Sequence, residues 1–515
     1  MMRSVREQSG TISLSGAEGV RAEPRRRGRA IAAAVFVCIL ALSWLSFQIP
    51  KGTLVATDEL KTAERSREML SAGPWLLFFN FEPSFEKPPL QYWLTSLTLP
   101  CFENPSVAVR IWPLIYAALT TVVLAWLVIV IEPERPWLAP LSVAVLFSCP
   151  LFATEATRGL LDIGLAFFTT TTILFSEVAR KRPAWWLGAA ASCWLGSLQK
   201  IPVPFVVWLL ILAARATSRA ERPKLKSWWL GFSLLLAVIA MSAWWLLQLI
   251  RYHMPFWSVF HEEVVVWLGP AGVGTRPYFE IPIRMIINGG LCGLLALLAP
   301  FAVLFSRKGT MSTAVRELAL VSVIAIATLI ASNFRHVRYV IPIVPVLCLL
   351  IAFVFYWLLE RVRWGRALTI ASLIVLLGAG LIETKIQIDH LEGKDDRNDR
   401  INALIPALTV PKDVTDEKTI AEELGTLQQS GTRVVLVKAN NSGTDLLWNS
   451  FYLFHGKLRS AVSKYTVDEI RANPPPPPLI GACVSRDLPI LQQLYPTLHV
   501  ALVRANFVCW EVVTQ

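Results

Sequence analysis

The sequence predicts a polytopic α-helical membrane protein of about 11–13 spans with a small C-terminal α/β domain. Three observations lead there. Of 515 residues, 54% are hydrophobic and only 17% charged, more apolar surface than a soluble core of this size buries. Apolar runs recur up to residue 383, after which the chain turns polar at "DHLEGKDDRNDR". Lys and Arg gather in alternate connections, the pattern that fixes orientation in a bilayer. The net charge of +12, from 49 basic and 37 acidic residues, is therefore read through loop placement; no interleaved basic and aromatic patch points to nucleic acid.

Residues 1–29 form a basic cytoplasmic tail ending in Arg25, Arg26, Arg27 and Arg29. The run 30–50 is long enough to cross about 30 Å of hydrocarbon. Its exit, "WLSFQIPKG", is too bulky for signal cleavage, which predicts a retained first helix. Further apolar runs follow at 107–131, 137–153, 159–178, 184–197, 201–214, 228–250, 284–305, 316–332, 339–359 and 366–383, eleven in all. The basic connections are Arg180-Lys181-Arg182, then Arg215 to Lys226, then Arg307, Lys308 and Arg316, then Arg361, Arg363 and Arg366. "EPERP" at 132–136 belongs clearly to neither side. An odd number of spans places residues 384–515 opposite the tail, on the same face as the loops 51–106 and 251–283.

The tail beyond 383 reads as a small α/β domain. "TRVVLVKAN" is a buried strand, "LLWNSFYLFHGK" a helix or strand, "NPPPPPLIG" a polyproline spacer, and "LHVALVRANFVCWEVV" a hairpin. It contains no glycine-rich phosphate loop, so no catalytic role is assigned to it. The eight cysteines form no CxxC or Cys/His cluster. Cys38, Cys149, Cys193, Cys292 and Cys348 lie in apolar runs; Cys483 and Cys509 would pair only in an oxidising compartment and are otherwise two buried thiols.

The informative stretch is the first long loop. "ATDELKTAERSREML" carries seven charges in fifteen residues directly after a span. Residues 58–71 read as a helix closed by Gly73-Pro74, with Glu64 spaced to pair at the surface with Lys61 and Arg67. Asp58 stands where Asp caps helices, or where a carboxylate would serve chemistry at the bilayer surface. Downstream, Pro88-Pro89 set a helix start for "LQYWLTSL", whose Tyr92 and Trp93 suit headgroup depth. Glu86-Lys87 is thus held just ahead of an interfacial helix, where an ammonium can meet a lipid phosphate as a point charge or simply reach for the headgroups.

"TDELKTAERSREMLSAGPW" followed by "FEKPPLQYWL" resembles the first external loop of bacterial glycosyltransferase family 39, with further likeness at "ATRGLLDIGLAFF" and "RHVRYVIPIVPVLCLL". The family includes the aminoarabinose lipid A transferase and relatives of the protein O-mannosyltransferases. The resemblance implies a GT-C fold, a polyprenyl-phosphate sugar as donor, and a lipid A, glycan or protein acceptor. It implies a bacterial inner membrane with the C-terminal domain periplasmic. It puts the acidic motif on Asp58 and Glu59, with Asp58 the base, and the phosphate ligand on Lys87 beside Glu86. A further acid falls on Asp162 with Arg158 beside it, and Arg338-Tyr339 falls on a second donor-phosphate box. Lys200 matches a family lysine whose neighbours differ here, "LQKIP" replacing the usual T-K-G.

The chemistry of these residue types agrees. A polyprenyl phosphate is already a good leaving group, so one carboxylate to take the hydroxyl proton and cations to receive the phosphate suffice. No cofactor is required. His261 and Glu262 in "FHEEVVVWLG", with Glu86, are the candidate divalent-metal ligands, but such scattered residues fall short of a metal motif. His336 reads equally as a proton shuttle or a loop residue. The alternative class is a transporter or lipid flippase. Transporters place charges and broken helices at the midplane, often with repeats; here the ionisable residues cluster at one face and no repeat is found, which favours an enzyme over a transporter or an inactive assembly subunit.

Overall fold

The computed structural model describes residues 15–51, 54, 57–219, 221–261, 265, 279–306, 311–332, 336–361, 365–391, 414–428, 432–438, 462–504 and 507–513. Every expected apolar run falls on helix. The helices are α1 (Ser15–Ser46), α2 (Thr57–Ala72), α3 (Leu90–Thr98), α4 (Pro105–Ile131), α5 (Leu138–Phe147), α6 (Pro150–Glu155), α7 (Asp162–Val178), α8 (Trp186–Gln199) and α9 (Val203–Thr217). They continue as α10 (Trp228–Tyr252), α11 (Phe256–Phe260), α12 (Glu280–Leu304), α13 (Thr313–Ala331), α14 (Val344–Arg361) and α15 (Gly365–Leu391). A 3₁₀ segment, Val337–Ile343, leads directly into α14.

Six stretches among the described residues are long and apolar enough to cross a membrane: Arg26–Ser46, Pro105–Ile131, Trp228–Tyr252, Glu280–Leu304, Thr313–Ala331 and Val337–Leu358. The protein is a multi-pass membrane protein. Shorter helices fill its interior, with α7 packed against α4, α8, α9 and the 3₁₀ segment. The threonine run of α7 explains how a polar stretch sits there. Thr169, Thr170, Thr171 and Thr172 each return the hydroxyl to the carbonyl four residues earlier, at 2.7–2.9 Å, so no hydroxyl goes unpaired in an apolar setting.

Two spans are less regular than their hydropathy suggests. The run 137–153 breaks at Ser148-Cys149, because Pro150 cannot donate a helical N–H and so starts the new helix α6. In α12 the backbone kinks at Gly290, with φ of 54°. That φ with ψ of −141° is a backbone conformation that favours glycine, and a Cβ there would also press on the Glu383 carboxylate of α15.

A short hairpin after α2 supplies β1 (Phe78–Phe79) and β2 (Glu82–Pro83), and the C-terminal part carries α16 (Val414–Leu427), β3 (Arg433–Lys438), β4 (Val462–Thr466), α17 (Val467–Ala472), β5 (Leu479–Val484), α18 (Leu488–Leu494), β6 (Leu498–Arg504) and β7 (Phe507–Val512). The sheet order is β4-β3-β5-β7-β6. β3 runs parallel to both β4 and β5, while β7 is antiparallel to β5 and β6. The expected hairpin is β6–β7. The expected spacer ends at Pro478, for "LIGACV" is a buried inner strand. "LLWNSFYLFHGK" lies outside the described residues. Ala482 faces Cys509 across β5 and β7, and Cys483 faces Val508, so the two thiols point to opposite faces of the sheet and remain free.

One face of this sheet covers the first long loop. Leu60 and Ala63 of α2 and Val109 of α4 share a buried apolar cluster with Ile420 and Leu424 of α16 and with Val434, Leu436 and Ile480 of the sheet. The first loop and the C-terminal domain therefore lie at the same end of the helical bundle.

Candidate active site

The site begins at the first turn of α2, where Asp58 and Glu59 are consecutive. Neighbouring residues on a helix point in different directions, and these two find different partners. The Asp58 carboxylate meets the Arg338 guanidinium at 2.5 Å, and both side chains keep solvent access, 38% and 28% exposed. Glu59 is fully buried. Its Oε1 accepts from Arg110 Nε at 2.6 Å and from the Gly159 amide at 2.9 Å, and its Oε2 accepts from the second guanidinium nitrogen at 3.2 Å. Arg110 also donates to the carbonyls of Ile49 and Lys51, tying together the end of α1, α2, α4 and the turn before α7. Glycine at 159 lets this turn close, since a Cβ would come within 2.1 Å of Val109.

Asp162 opens α7 and Lys200 ends α8. The ammonium bridges both Asp162 oxygens at 2.7 and 2.9 Å, deep in the protein. Lys200 also lies 5.0 Å from the Tyr339 ring, as Arg338 does at 5.7 Å. Arg158 pairs instead with Glu155, at 3.5 Å. His336 stands edge-on to Tyr339 at 5.9 Å.

The Glu86-Lys87 box is held from α2. Arg65, two turns after Asp58, donates to Glu86 Oε2 at 2.6 Å, Ser84 Oγ at 3.1 Å and the Tyr92 hydroxyl at 3.0 Å. Lys61 lies between the halves of the site, 3.6 Å from Glu86 and close enough to act on Asp58. Tyr92 is buried within the protein, its hydroxyl accepting from Arg65. Glu64 is likewise buried and pairs with Arg67 beside Glu68, while Lys61 meets Glu86.

Charge is distributed accordingly. Burial alone would raise the Asp58 carboxyl, but Arg338, then Lys200 and Lys61, outweigh it and bring it down to about 2. Burial also works against ionised Glu59, and Arg110 overcomes it, holding the group below the ordinary glutamate range. At Glu86 the same opposition is decided by Arg65, with Lys61 and the adjacent Lys87 helping, and the carboxyl is lowered. Lys87 itself is half-buried.

A cavity of about 300 Å³ opens beside the box, bounded by Phe79 and Glu82 to Glu86 on one side and Pro255, Ser258 and Val259 on the other. His261 is exposed, Glu262 lies outside the described residues, and Glu86 is engaged by cations. Among the described residues no three His, Cys, Asp or Glu side chains are placed to hold a metal.

The structure thus brings Asp58, Asp162, Lys200, Arg338 and Tyr339 into one cluster and reaches Glu86-Lys87 through Lys61 and Arg65. Glu59 and Arg158 face other partners. Sequence reasoning missed Arg65 and Arg110. Arg110 had a signal, an arginine inside the apolar run "VAVRIWPL"; Arg65 had only its two-turn spacing from Asp58.

Residues 34–260 match the model of the family described as dolichyl-phosphate-mannose-protein mannosyltransferase. The undecaprenyl phosphate-alpha-4-amino-4-deoxy-L-arabinose arabinosyl transferase of Pseudomonas savastanoi pv. phaseolicola is 28% identical over 65% of this chain and 64% of its own length. A second protein of that description from Sodalis glossinidius is 30% identical over 32% of this chain and 31% of its own. The chain thus spans between about a third and just under two thirds of these relatives. ArnT from Cupriavidus metallidurans, solved bound to undecaprenyl phosphate, superposes with a TM-score of 0.68 at 16% identity, covering 92% of this chain and 97% of that one. The archaeal oligosaccharyltransferase AglB from Archaeoglobus fulgidus gives 0.57 at 12% identity, over 84% and 64%. This chain has the GT-C fold of these solved structures, and over residues 34–260 it is similar to the mannosyltransferase family model.

Proposed function

We propose that the protein is a membrane glycosyltransferase that moves a sugar from a polyprenyl-phosphate carrier to a hydroxyl of a lipid A, glycan or protein acceptor. The reaction takes place at the face bearing the C-terminal domain, the periplasmic face of a bacterial inner membrane. Asp58 accepts the hydroxyl proton as the oxygen attacks the anomeric carbon. The bond from that carbon to the phosphate oxygen breaks, its electrons stay on the phosphate, and a single displacement inverts the centre. Lys87 and Arg338, with the Tyr339 hydroxyl, receive the phosphate. Asp162, Lys200, Arg158 and Glu86 shape and bind the substrates around them.

The observation that carries this reading is the Asp58–Arg338 pair. A carboxylate near 2 is a weak base. Arg338, however, is also the best local ligand for a phosphate, because a guanidinium binds it bidentately. A donor phosphate that draws Arg338 away returns basicity to Asp58 when substrate is present. The relatives' described use of undecaprenyl phosphate sugars supports the donor class.

The test uses purified full-length protein in lipid nanodiscs with an undecaprenyl-phosphate sugar. Asp58→Asn should abolish transfer while donor binding is kept or tightened, because Arg338 is then freed for the phosphate, and NMR of the wild-type product should report an inverted anomeric centre. Undiminished transfer by the variant removes Asp58 from the chemistry, and a retained centre removes the single displacement.

A further inference from the structure

The short hairpin between α2 and the Glu86-Lys87 box has a role that the chemistry above does not use. Strands Phe78–Phe79 and Glu82–Pro83 pair around a two-residue turn, Asn80-Phe81, with φ of 58° and 62°. Positive φ suits asparagine but is costly for phenylalanine. Two sets of contacts hold the turn. Both oxygens of Glu68 accept the Phe81 amide, at 3.0 and 3.1 Å, and Arg67 lies 5.6 Å from the Phe81 ring. On the other side the Asn80 side chain grips the C-terminal domain: its Nδ2 donates to the Val462 carbonyl at 3.1 Å, and its Oδ1 accepts the Val462 amide at 3.2 Å.

Val462 opens β4, the edge strand of the five-stranded sheet. The amide of Asn80 therefore does what an added strand residue would do, satisfying both edge groups of one residue. The contact is buried, with Asn80 only 7% exposed, so water does not replace it cheaply. Lys464 of the same strand reaches the Phe79 ring at 5.5 Å. Beyond the turn the backbone runs straight through Glu82 and Pro83 to Ser84, whose amide returns to Leu77, and then to Glu86 and Lys87.

We propose that Asn80 is a positioning residue through which the edge of the C-terminal sheet sets the Glu86-Lys87 box, and with it the affinity for the donor phosphate. This rests on the reading of Lys87 as a phosphate ligand. The domain touches no reacting atom in this account; it holds one end of the loop, and Arg65 holds the other.

The variants are Asn80→Gly, which keeps the turn geometry and removes both hydrogen bonds, and Asn80→Asp, which keeps the acceptor and loses the donor. In full-length protein in nanodiscs, Asn80→Gly should raise the donor KM and the Kd for undecaprenyl phosphate by roughly tenfold while kcat stays within about twofold, and Asn80→Asp should fall between. Hydrogen exchange at the amides of residues 82–87, measured without substrate, should accelerate in Asn80→Gly. Unchanged exchange, an unchanged donor KM, or a loss confined to kcat overturns the proposal. Accelerated exchange in a protein whose wild type binds no undecaprenyl phosphate would instead overturn the proposed function and the affinity claim, leaving only the mechanical link from sheet to box.

Discussion

Glu59 stands next to Asp58 in sequence, and the two separate cleanly by experiment. Replacing Glu59 with Gln removes the charge that balances Arg110, a guanidinium only 7% exposed in the pair. Stranding one member of a buried ion pair costs about 3–5 kcal/mol. Glutamine can still accept one hydrogen bond, which places the expected loss near the lower end, about 3 kcal/mol. The double variant Glu59→Gln/Arg110→Met should recover most of that loss, because no unpaired charge remains. The assay is thermal unfolding in nanodiscs beside transfer kinetics on the folded fraction. Glu59→Gln should melt early yet transfer normally per folded molecule, and the double variant should regain both. A double variant that is stable but inactive would place Glu59 in the chemistry and refute this reasoning. The pH dependence has a definite sign. Arg110 lowers the Glu59 carboxyl from its ordinary 4.5, so the pair's contribution is complete above that value and is lost as pH falls through the lowered one.

Three further outcomes are expected. The free-enzyme acid limb of transfer should show no ionisation near the ordinary aspartate value, because Asp58 titrates at about 2; a limb near 4 that vanishes in Asp58→Asn would contradict the Arg338 clamp. Burial and the neighbouring Glu64 push Glu68 up to about 8, against the Phe81 amide and Arg67, so the fold favours protonated Glu68. Melting temperature should then decline as pH rises from about 5 towards 8, and Glu68→Gln should flatten the decline; an identical slope in the variant would argue against it. Lys200→Met strands Asp162 at 2% exposure and should cost about 3–5 kcal/mol, whereas Lys200→Met/Asp162→Leu should fold and still fail to transfer, read by melting and product formation.

What the sequence revealed follows the range of its signals. Hydropathy is local, and all eleven apolar runs are helical. α2 starts at Thr57, so Asp58 lies inside its first turn and turns to Arg338 rather than capping it, while Gly73, with φ of 94°, ends it as expected of a helix terminator. Pro88-Pro89 likewise precede α3. What stayed hidden is long-range. Nothing local reveals that the Tyr92 hydroxyl meets Arg65, 27 residues earlier. Asp162 has Arg158 one turn before it and pairs with Lys200, 38 residues on. Glu64 has two cations at helical spacing; Arg67 pairs with it, and Lys61 meets Glu86. Sequence spacing ranks the partners within a helix, and tertiary packing then decides among those and others it brings from elsewhere.

Four of the acid–base pairs of the site, those at hydrogen-bond distance, differ most in exposure, and exposure decides what each can do. Glu59–Arg110 is 0% and 7% exposed, and Asp162–Lys200 is 2% and 9%. Neither can open without leaving a charge unsolvated, so both are suited to fixing where α2, α4, α7 and α8 meet. In Arg65–Glu86 only the carboxylate reaches solvent, at 47%, against 2% for the guanidinium; the cation is anchored and the box hangs from it. Asp58–Arg338 alone among the four has both partners partly in water, at 38% and 28%. There, an arriving phosphate can take the guanidinium at small desolvation cost, and the freed carboxylate remains solvated until a hydroxyl approaches. Exchange of partners is feasible at this pair and costly at the other three, which is why the proposed chemistry is placed on Asp58 rather than on the more deeply buried Glu59 beside it.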